Sequence, residues 1–330
     1  MSSKIQSIGI DVSKKSLDIC FMTKQATVLK EFKVSNTAEG VLLTLEQIKA
    51  FPCEQEVPIC LESTSSYHVL PALMLKEEGH KVKVFNPILS KKYTQASIRK
   101  CKTDKADARI IAKIGLLEVL HDFDLSPNAF FLKRKVSLLK TLQKQKQILS
   151  ASLNKLKEDY EVLKKELPLY LKESDLLKSL KITIKTIQEE IQNEAKHLKG
   201  FTSLCEIKGI SCVSASIVLA HIADKAFESK QALVAFAGLD VSVKSSGTSV
   251  HGKGRLSKRG NRTLRKTLTQ IAWGLRMHND TFKKLAQYHK NKGKHYFEIM
   301  AILARKLLHI IYGMFKTNSP FDPARIHLPS

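Results

Sequence analysis

Acidic residues are scarce in this 330-residue chain: 31 Asp and Glu stand against 55 Lys and Arg, which gives a formal net charge of +24. Such an excess indicates a polyanionic partner, because neutralising phosphates and releasing their counterions dominates affinity for nucleic acids. An anionic membrane surface is the alternative. The net charge is +3 over residues 1–125, +7 over 126–200 and +14 over 201–330. The last region is therefore the predicted polyanion-binding surface.

Other features are missing altogether. No apolar run is long enough to span a membrane, and the segment "MSSKIQSIGI" lacks the apolar core of a signal peptide. The six cysteines form neither a CxxC pair nor a Cys/His zinc spacing. These absences predict a cytosolic protein with no membrane partner, whose thiols are reduced and mostly buried.

Residues 1–125 alternate between strand and helix patterns in the order β-β-β-α-β-α-β-α. The first three strands form an antiparallel meander, and parallel βα units follow, so the pattern predicts a mixed sheet covered by helices. Between the last strand and the last helix, "SKKYTQASIRKCK" is expected to be a basic loop. It is about equally compatible with nucleic-acid contact and with a solvated surface.

Residues 126–200 contain almost no Gly and only two Pro, and their apolar residues recur every three or four positions. The pattern predicts one helix from Leu132 to Leu167 and a second helix after it. These helices could pack on their own domain, or project as a hairpin that pairs with a second subunit. We favour the second interpretation, which rests on two series of side chains: Leu149, Leu153, Leu156, Tyr160, Leu163 and Leu167, then Leu177, Leu180, Ile184, Ile187, Ile191 and Leu198.

Two features of residues 200–330 are typical of phosphate binding. The segment around Gly209 is similar to a helix-hairpin-helix, although Ser211 stands where a second glycine is usual. From Val241 to Asn279 there is no acidic residue, and a glycine-rich, flexible loop precedes a basic helix. The candidate nucleic-acid contacts of this region are Gly209, Lys253, Arg255, Lys258, Arg259, Arg262, Arg265 and Lys266.

Four carboxylates are expected to meet at one edge of the N-terminal sheet. Asp11 lies in the first strand, Glu62 follows the apolar strand "VPICL", and Asp104 and Asp107 share one face of the final helix. Such hard oxygen ligands suit Mg²⁺ or Mn²⁺, and a pair of ions would assist phosphoryl transfer. Taken alone, Asp104 and Asp107 are better explained as helix-capping residues. The neighbouring Lys102 and Lys105 would attract a phosphate substrate.

Several segments resemble those of the DEDD-type insertion-sequence transposases. "GIDVSKKSLDI", "LESTSSYH" and "KTDKADARIIAKI" are similar to the family's N-terminal domain, and "IKGISCVSASIVLAHIAD" and "FAGLDVSVKSSGTSVHGKGRLSKRGNRTLRK" to its C-terminal domain. The resemblance implies a RuvC-like, ribonuclease H-like catalytic domain over residues 1–125 and a helical coiled-coil region over 126–199. A mainly helical transposase domain, with the helix-hairpin-helix-like segment and a catalytic serine loop, would then span residues 200–330.

The resemblance also implies roles for individual residues. Asp11, Glu62, Asp104 and Asp107 map onto the family's catalytic divalent-metal ligands. The nucleophilic serine precedes a glycine and maps onto Ser246, with Ser245 as the alternative, and the family's proline after "GL" is replaced in "GLDVS". The family further implies a phosphoserine bond to DNA, a tetramer arranged as a dimer of dimers, and a bridge RNA that pairs with element and target DNA. A bacterial or archaeal cytoplasm, close to the nucleoid, is the expected location.

We therefore predict a transposase or site-specific recombinase that cuts and rejoins DNA through a serine–phosphate intermediate. One alternative is a RuvC-like metal-dependent nuclease, such as a junction resolvase, in which the acids activate water and Ser246 is dispensable. The other is a non-catalytic nucleic-acid binding protein, which would bind in a salt-sensitive manner and break no strand.

Overall fold

The computed structural model describes residues 4–51, 57–63, 66–95, 104–172, 175–242, 245–246, 250–251 and 255–322. It divides into two compact units, Met1–Pro127 and Asn128–Ser330. Unit 1 holds the strands and helices up to residue 117, and unit 2 is mainly helical. The predicted boundary at residue 199/200 is not a division between units in this structure, and as a domain boundary it stays a prediction.

Unit 1 is built on a five-stranded mixed sheet with the strand order β3-β2-β1-β4-β5. Strands β1, β2 and β3 form the antiparallel meander, and β4 and β5 are parallel to β1. The strands are β1 (Ser7–Val12), β2 (Ser16–Met22), β3 (Val28–Ser35), β4 (Ile59–Glu62) and β5 (Val82–Phe85). This topology confirms the predicted mixed sheet, and the fold class with it.

The helices of unit 1 are α1 (Ala38–Lys49), α2 (Val69–Glu77), α3 (Pro87–Gln95) and α4 (Asp104–Leu117). Helix α3 corrects the first part of the expected basic loop, because residues 90–95 are helical, and the rest of that segment lies outside the described residues. Its first turn is capped by the Asn86 side chain, whose Oδ1 accepts from the Ile88 N–H at 2.9 Å. Leu89 and Tyr93 then pack against the core below α4, which gives this basic segment an apolar face.

Helix α4 lies directly on β1. A Cβ atom added to Gly9 would come within 2.3 Å of the Ala108 carbonyl oxygen and of the Ala112 nitrogen. Farther along α4, a Cβ on Gly115 would meet the Ser7 hydroxyl at 2.4 Å and the Cys60 sulfur at 2.6 Å. The absence of side chains at Gly9 and Gly115 therefore allows the helix to approach the sheet closely.

Unit 2 contains the remaining elements. Its helices are α5 (Pro127–Val162), α6 (Leu169–Lys172), α7 (Asp175–Ala195), α8 (Phe201–Cys205), α9 (Cys212–Ile222), α10 (Lys230–Ala237), α11 (Arg262–His278), α12 (Asp280–Asn291) and α13 (Tyr296–Thr317). Four two-residue strands separate α10 from α11: β6 (Val241–Ser242), β7 (Ser245–Ser246), β8 (Val250–His251) and β9 (Arg255–Leu256). A large apolar core joins α8 through α13 around residues such as Leu219, Leu268 and Leu307.

The two middle helices differ from their prediction in extent and in packing. Helix α5 ends at Val162, so Leu163 and Leu167 of the predicted series lie beyond it. The first part of α5 and the second part of α7 pack together on α9 through Leu132, Val136, Leu139, Ile184, Ile187, Ile191, Ile217 and Ala220. Lys135 ties the pair together by binding Glu190 at 2.8 Å and Glu194 at 2.5 Å. That stretch of the helix pair therefore packs within its own unit.

The remaining composition-based expectations concern thiols and membranes. Cys20 and Cys60 are free and buried, and burial raises the pKa of each thiol to about 12. Cys205 and Cys212 are free and half-buried. Across the part of the chain that the structure describes, no helix combines the length and apolar character needed to cross a bilayer.

Candidate active site

Asp11 and Glu62 are brought to the same edge of the sheet by strand register. In the parallel pair of β1 and β4, Gly9 lies beside Cys60 and Ile10 beside Leu61, so the next position on each strand carries an acid. Because side chains alternate along a strand, Asp11 shares the face of Gly9, and Glu62 shares the face of Cys60. Gly9 and Cys60 both contact α4, so both acids belong to the face that α4 covers.

The direction of α4 places its first turn at this same edge. Gly115 lies over Ser7 and Cys60, while Ala108 and Ala112 lie over Gly9, so the helix runs opposite to β1. Its N-terminal turn, which contains Asp104 and Asp107, is therefore next to the end of β1 that holds Asp11. Only the backbone of Asp104 and Lys105 is described, and Lys102 lies outside the described residues.

Neighbouring groups distinguish these acids from one another. Glu62 accepts a hydrogen bond from the Ser90 hydroxyl, which α3 supplies and which the sequence alone did not indicate. Asp18 lies opposite Asp11 across β1 and β2, but the Lys33 ammonium pairs with it at 2.9 Å. A buried acid with its own cation is satisfied within the fold, so Asp18 is a poor candidate for a metal ligand.

The donor chemistry of this edge fits a hard divalent cation, since every candidate ligand is a carboxylate. Among the described residues, no three Asp, Glu, His or Cys side chains are close enough together to hold an ion. The Asp104 side chain is not part of that comparison. Asp11 and Glu62 are thus the two ligand candidates that the sheet itself brings side by side.

The candidate nucleophile lies in a nested β-hairpin between α10 and α11. In the outer pair, Val241 is opposite Leu256, and in the inner pair Ser245 is opposite His251 and Ser246 opposite Val250. Gly247 and Lys253 lie outside the described residues. The described part of this segment is a hairpin, which corrects the expectation of a flexible loop.

Hydrogen bonds at the base of this hairpin fix both of its arms. The Ser257 N–H donates to the Asp240 carbonyl oxygen at 2.9 Å, and the Ser257 hydroxyl donates to the Asp240 carboxylate. The Arg265 guanidinium donates to the carbonyl oxygens of Ala237 at 3.2 Å and Gly260 at 3.4 Å. A Cβ on Gly260 would come within 2.2 Å of the Gly238 nitrogen, so only glycine fits where the two arms meet.

Asn261 connects the hairpin base to the helices below it. Its Oδ1 accepts from the Leu264 N–H at 3.0 Å and caps α11, and its backbone N–H donates to the Phe236 carbonyl at 2.7 Å. The Asn261 amide also contacts His221 Nδ1 at 3.2 Å. The signal available in the sequence was an Asn directly before a helical pattern, which is a typical N-cap.

His221 sits in a cationic environment that the sequence did not predict. Burial lowers its pKa to about 4, and Lys133 and Lys140 add to this effect. Burial, together with Lys266, lowers the pKa of Lys140 to about 8. His221 is therefore neutral near pH 7 and lies close to two lysines of α5.

The predicted phosphate contacts occupy different environments. Lys258, Arg259, Arg262 and Lys266 are exposed, whereas Arg265 is half-buried against the hairpin base, and only the backbone of Arg255 is described. Gly209 has φ +98°, and a Cβ there would meet the Gly274 carbonyl oxygen at 2.6 Å. Packing against α11 is thus a sufficient reason for a glycine at this position. Its role in nucleic-acid binding stays a prediction.

Comparison with known proteins gives consistent matches over most of the chain. Residues 8–164 match the family model DEDD_Tnp_IS110, described as a transposase. Residues 202–287 match a second model, described as transposase of the IS116/IS110/IS902 family. The pilin gene-inverting protein of Moraxella lacunata is 28% identical over 333 residues, covering 97% of this chain and 98% of that protein. Its counterpart from Moraxella bovis is 27% identical over 335 residues, with the same coverage.

Among solved structures, T. thermophilus RuvC in complex with Holliday junction substrate is 14% identical, with a TM-score of 0.27. The match covers 36% of this chain and 99% of that one. The assignment rests on the two family models, which match separate parts of the chain and name the same family, and on the full-length relatives. This chain belongs to the IS116/IS110/IS902 family of transposases and is a recombinase that acts on DNA.

Proposed function

We propose that this transposase recombines DNA through a covalent serine–phosphate intermediate, with Ser246 as the nucleophile. The Ser246 oxygen attacks a DNA phosphorus atom, the bond from phosphorus to one sugar oxygen breaks, and that sugar oxygen leaves with a proton. A sugar hydroxyl of another strand then reverses the exchange and releases the serine. Because each step replaces one phosphate ester with another, rejoining needs no external energy source.

The observation that carries the proposal is that Asp11 and Glu62 lie side by side at one sheet edge, next to the first turn of α4, in a DNA-acting enzyme. We propose that Asp11, Glu62, Asp104 and Asp107 hold Mg²⁺ or Mn²⁺. The ion would stabilise negative charge on the reacting phosphate, which is worth several kcal/mol in metal-assisted transfer. A serine hydroxyl is a weak nucleophile on its own, and the bound ion would assist its attack.

We also propose that a bridge RNA selects the DNA sites. Support comes from the distribution of charge: Val241–Asn279 contains nine basic and no acidic residues, and several of them are exposed. Such a surface binds phosphates without reading bases. If base pairing chooses the sites, RNase treatment before DNA is added abolishes recombination, and RNA transcribed from the flanking sequence restores it.

The exposed part of α5 supports assembly into a dimer of dimers. Leu149, Leu153 and Tyr160 are half-buried and Leu156 is exposed, although all four recur at heptad spacing. Leu156→Glu should lower the mass measured by light scattering. Asn154→Glu is the matched control, since it adds the same charge two residues away, on a different face of the helix.

A covalent-adduct assay tests the central proposal. The full-length protein is mixed with Mg²⁺, end-labelled element junction DNA and the flanking RNA, and the products are denatured before separation. We expect a labelled protein–DNA adduct that is lost in Ser246→Ala and retained in Ser245→Ala. Loss in Ser245→Ala alone would move the nucleophile by one position.

The two alternatives predict different products in the same assay. A metal-dependent nuclease gives cleaved DNA without adduct, and Asp104→Asn abolishes that cleavage while Ser246→Ala does not. A binding protein gives a salt-sensitive mobility shift and no strand breakage. Either result would overturn the serine mechanism.

The outcome of recombination is a separate question. Two full-length relatives are named pilin gene-inverting proteins. We propose that this chain, too, can invert a segment between two sites placed in opposite orientation. A plasmid with the element junctions in that arrangement, analysed by PCR across each junction, separates inversion from insertion.

A further inference from the structure

Helix α11 carries a stripe of exposed side chains that changes character along its length. Exposed residues recur every three or four positions, which places them on one face: Arg262, Lys266, Gln270, Trp273 and Met277. The first two are basic and the last two are large and apolar. Trp273 is the only tryptophan of the chain, and 52% of its surface is exposed.

A cavity of about 310 Å³ opens at the apolar end of this stripe. Met277 and Arg276 line it from α11, and Tyr296 lines it from the start of α13. Trp273 precedes Arg276 by three residues and Met277 by four, so it is their neighbour on the helix surface. The Arg276 guanidinium lies 5.4 Å from the centre of the Tyr296 ring.

Further aromatic side chains are exposed beside this cavity, at the start of α13. Phe297 is 71% exposed, its ring stacks on His295 at 5.9 Å, and Tyr296 contacts it edge-to-face at 5.4 Å. An exposed aromatic cluster of this kind indicates a binding surface. The charge of the side chains around the cavity indicates which kind of ligand binds there.

The rim of the cavity is strongly cationic. Arg276, Lys283, Lys290 and Lys294 line it, and none of the described residues that line it is acidic. Lys294 pairs with Glu298 on the first turn of α13, so it is partly neutralised. Cations interleaved with aromatic rings fit a nucleic acid whose bases are unpaired, because the cations track the phosphates and the rings stack on the bases.

We propose that the exposed face of α11 binds an unpaired nucleic-acid strand, with phosphates on Arg262 and Lys266 and a base stacked on Trp273 beside the Arg276–Tyr296 cavity. This inference deepens the proposed function, since it depends on a nucleic-acid partner and assigns a place to its single-stranded part. A duplex keeps its bases stacked on one another, so it can use the basic end of the stripe but not the aromatic end.

Tryptophan fluorescence tests the inference directly, because the whole signal comes from Trp273. The full-length protein is titrated, without divalent metal, with an oligonucleotide of about 12 nucleotides, within the usual site size for a single strand. The same sequence is supplied as single-stranded DNA, as single-stranded RNA and as a DNA duplex. We expect single strands to quench the emission and the duplex to leave it nearly unchanged. The two single strands show which sugar is preferred.

Substitutions distinguish the contribution of base stacking to binding from the contribution of charge. Measured by anisotropy of a labelled oligonucleotide, Trp273→Ala should weaken single-strand binding about five-fold or more, while duplex affinity changes less than about two-fold. Trp273→Phe should restore most of the loss, which excludes misfolding as its cause. Lys266→Ala should weaken both ligands and reduce the salt dependence. Tyr170→Ala, which removes a similarly exposed ring on α6, should change neither affinity.

Three results would overturn the inference. One is unchanged emission at saturating single-stranded DNA and RNA. Another is an equal loss of single-strand and duplex affinity in Trp273→Ala. The third is a change of emission with protein concentration alone, which would assign the patch to contact between copies of the chain. Because these titrations measure binding without divalent metal and without strand cleavage, failure of the serine mechanism would leave this test intact.

Discussion

The two units hold their candidate catalytic groups by different means. In unit 1 the acids lie at the end of a buried sheet, where strand register and one closely packed helix determine their positions. In unit 2 the candidate serine lies in a hairpin of two-residue strands, whose base is fixed by side-chain hydrogen bonds and a helix cap. Unit 1 should therefore respond most strongly to changes in packing and charge, and unit 2 to the loss of single hydrogen bonds.

The net charge also differs between the region of the candidate metal ligands and the region of the candidate serine. Residues 1–125 carry a net of only +3, whereas residues 201–330 carry +14. A phosphate backbone is attracted to the second region and repelled by the acids of the first unless a cation is bound there. The dependence of the reaction on divalent metal should therefore arise from unit 1, and the dependence of DNA binding on salt concentration should arise from unit 2.

The largest predicted effect concerns Asp11. Asp11→Asn should lower adduct formation by about 10³-fold or more, because the ion that it helps to hold supplies several kcal/mol. Binding of DNA at moderate salt should persist. Asp122→Asn, which changes an exposed acid of the same unit, is the control and should react normally. Full adduct yield from Asp11→Asn would show that the acids do not take part in the reaction.

Packing of α4 on the sheet gives the next prediction. Gly9→Ala places a methyl group within 2.3 Å of two backbone atoms of α4, which no side-chain rotation can relieve. We expect a loss of about 1–3 kcal/mol in the free energy of unfolding, together with reduced cleavage. Gly313→Ala in α13, where no described atom outside the helix's own backbone lies within 4 Å of the added methyl group, should instead be neutral or slightly stabilising. Thermal unfolding followed by circular dichroism compares the two variants.

Unit 2 should lose stability as the pH falls. His221 has a folded-state pKa of about 4, below its ordinary value of 6.5, so the unfolded chain binds the proton first. The stabilisation is therefore complete above pH 6.5 and is lost as the pH falls toward 4, by on the order of 2 kcal/mol. Urea unfolding followed by Trp273 fluorescence reports on this unit. His221→Gln should flatten the pH dependence, and an unchanged slope would assign it to other groups.

Much of unit 1 was predictable because register and burial follow from short sequence patterns. The alternation around Asp11 and the apolar run before Glu62 identified both strands and predicted that the two acids lie at one edge of the sheet. Helix α3 was missed because Lys91 and Lys92 dominate its sequence, while its apolar face consists mainly of Leu89 and Tyr93. The bond from Ser90 to Glu62 depends on that helix, so it could not be inferred either.

In unit 2 the limits of sequence patterns are different. Gly209 was interpreted as a phosphate contact, but the contact with Gly274 joins residues 65 positions apart, which no local pattern reveals. Similarly, heptad spacing in the middle helices does not say which stretch packs on α9 and which stays exposed. The His221–Asn261 contact is also long-range, and it joins the hairpin base to α9.

The smallest predicted effect concerns two helix caps of unit 2, only one of which supports the hairpin. Asn261→Ala removes the cap of α11 and the contact with His221, and should cost about 1 kcal/mol. Asn279→Ala removes the equivalent cap of α12, whose Oδ1 accepts from the Phe282 N–H at 3.3 Å, and should cost a similar amount. Only Asn261→Ala should also reduce adduct formation at a temperature where both variants are folded, because only that cap supports the serine hairpin. Equal adduct yields would mean that the strands hold Ser246 in place without help from their base.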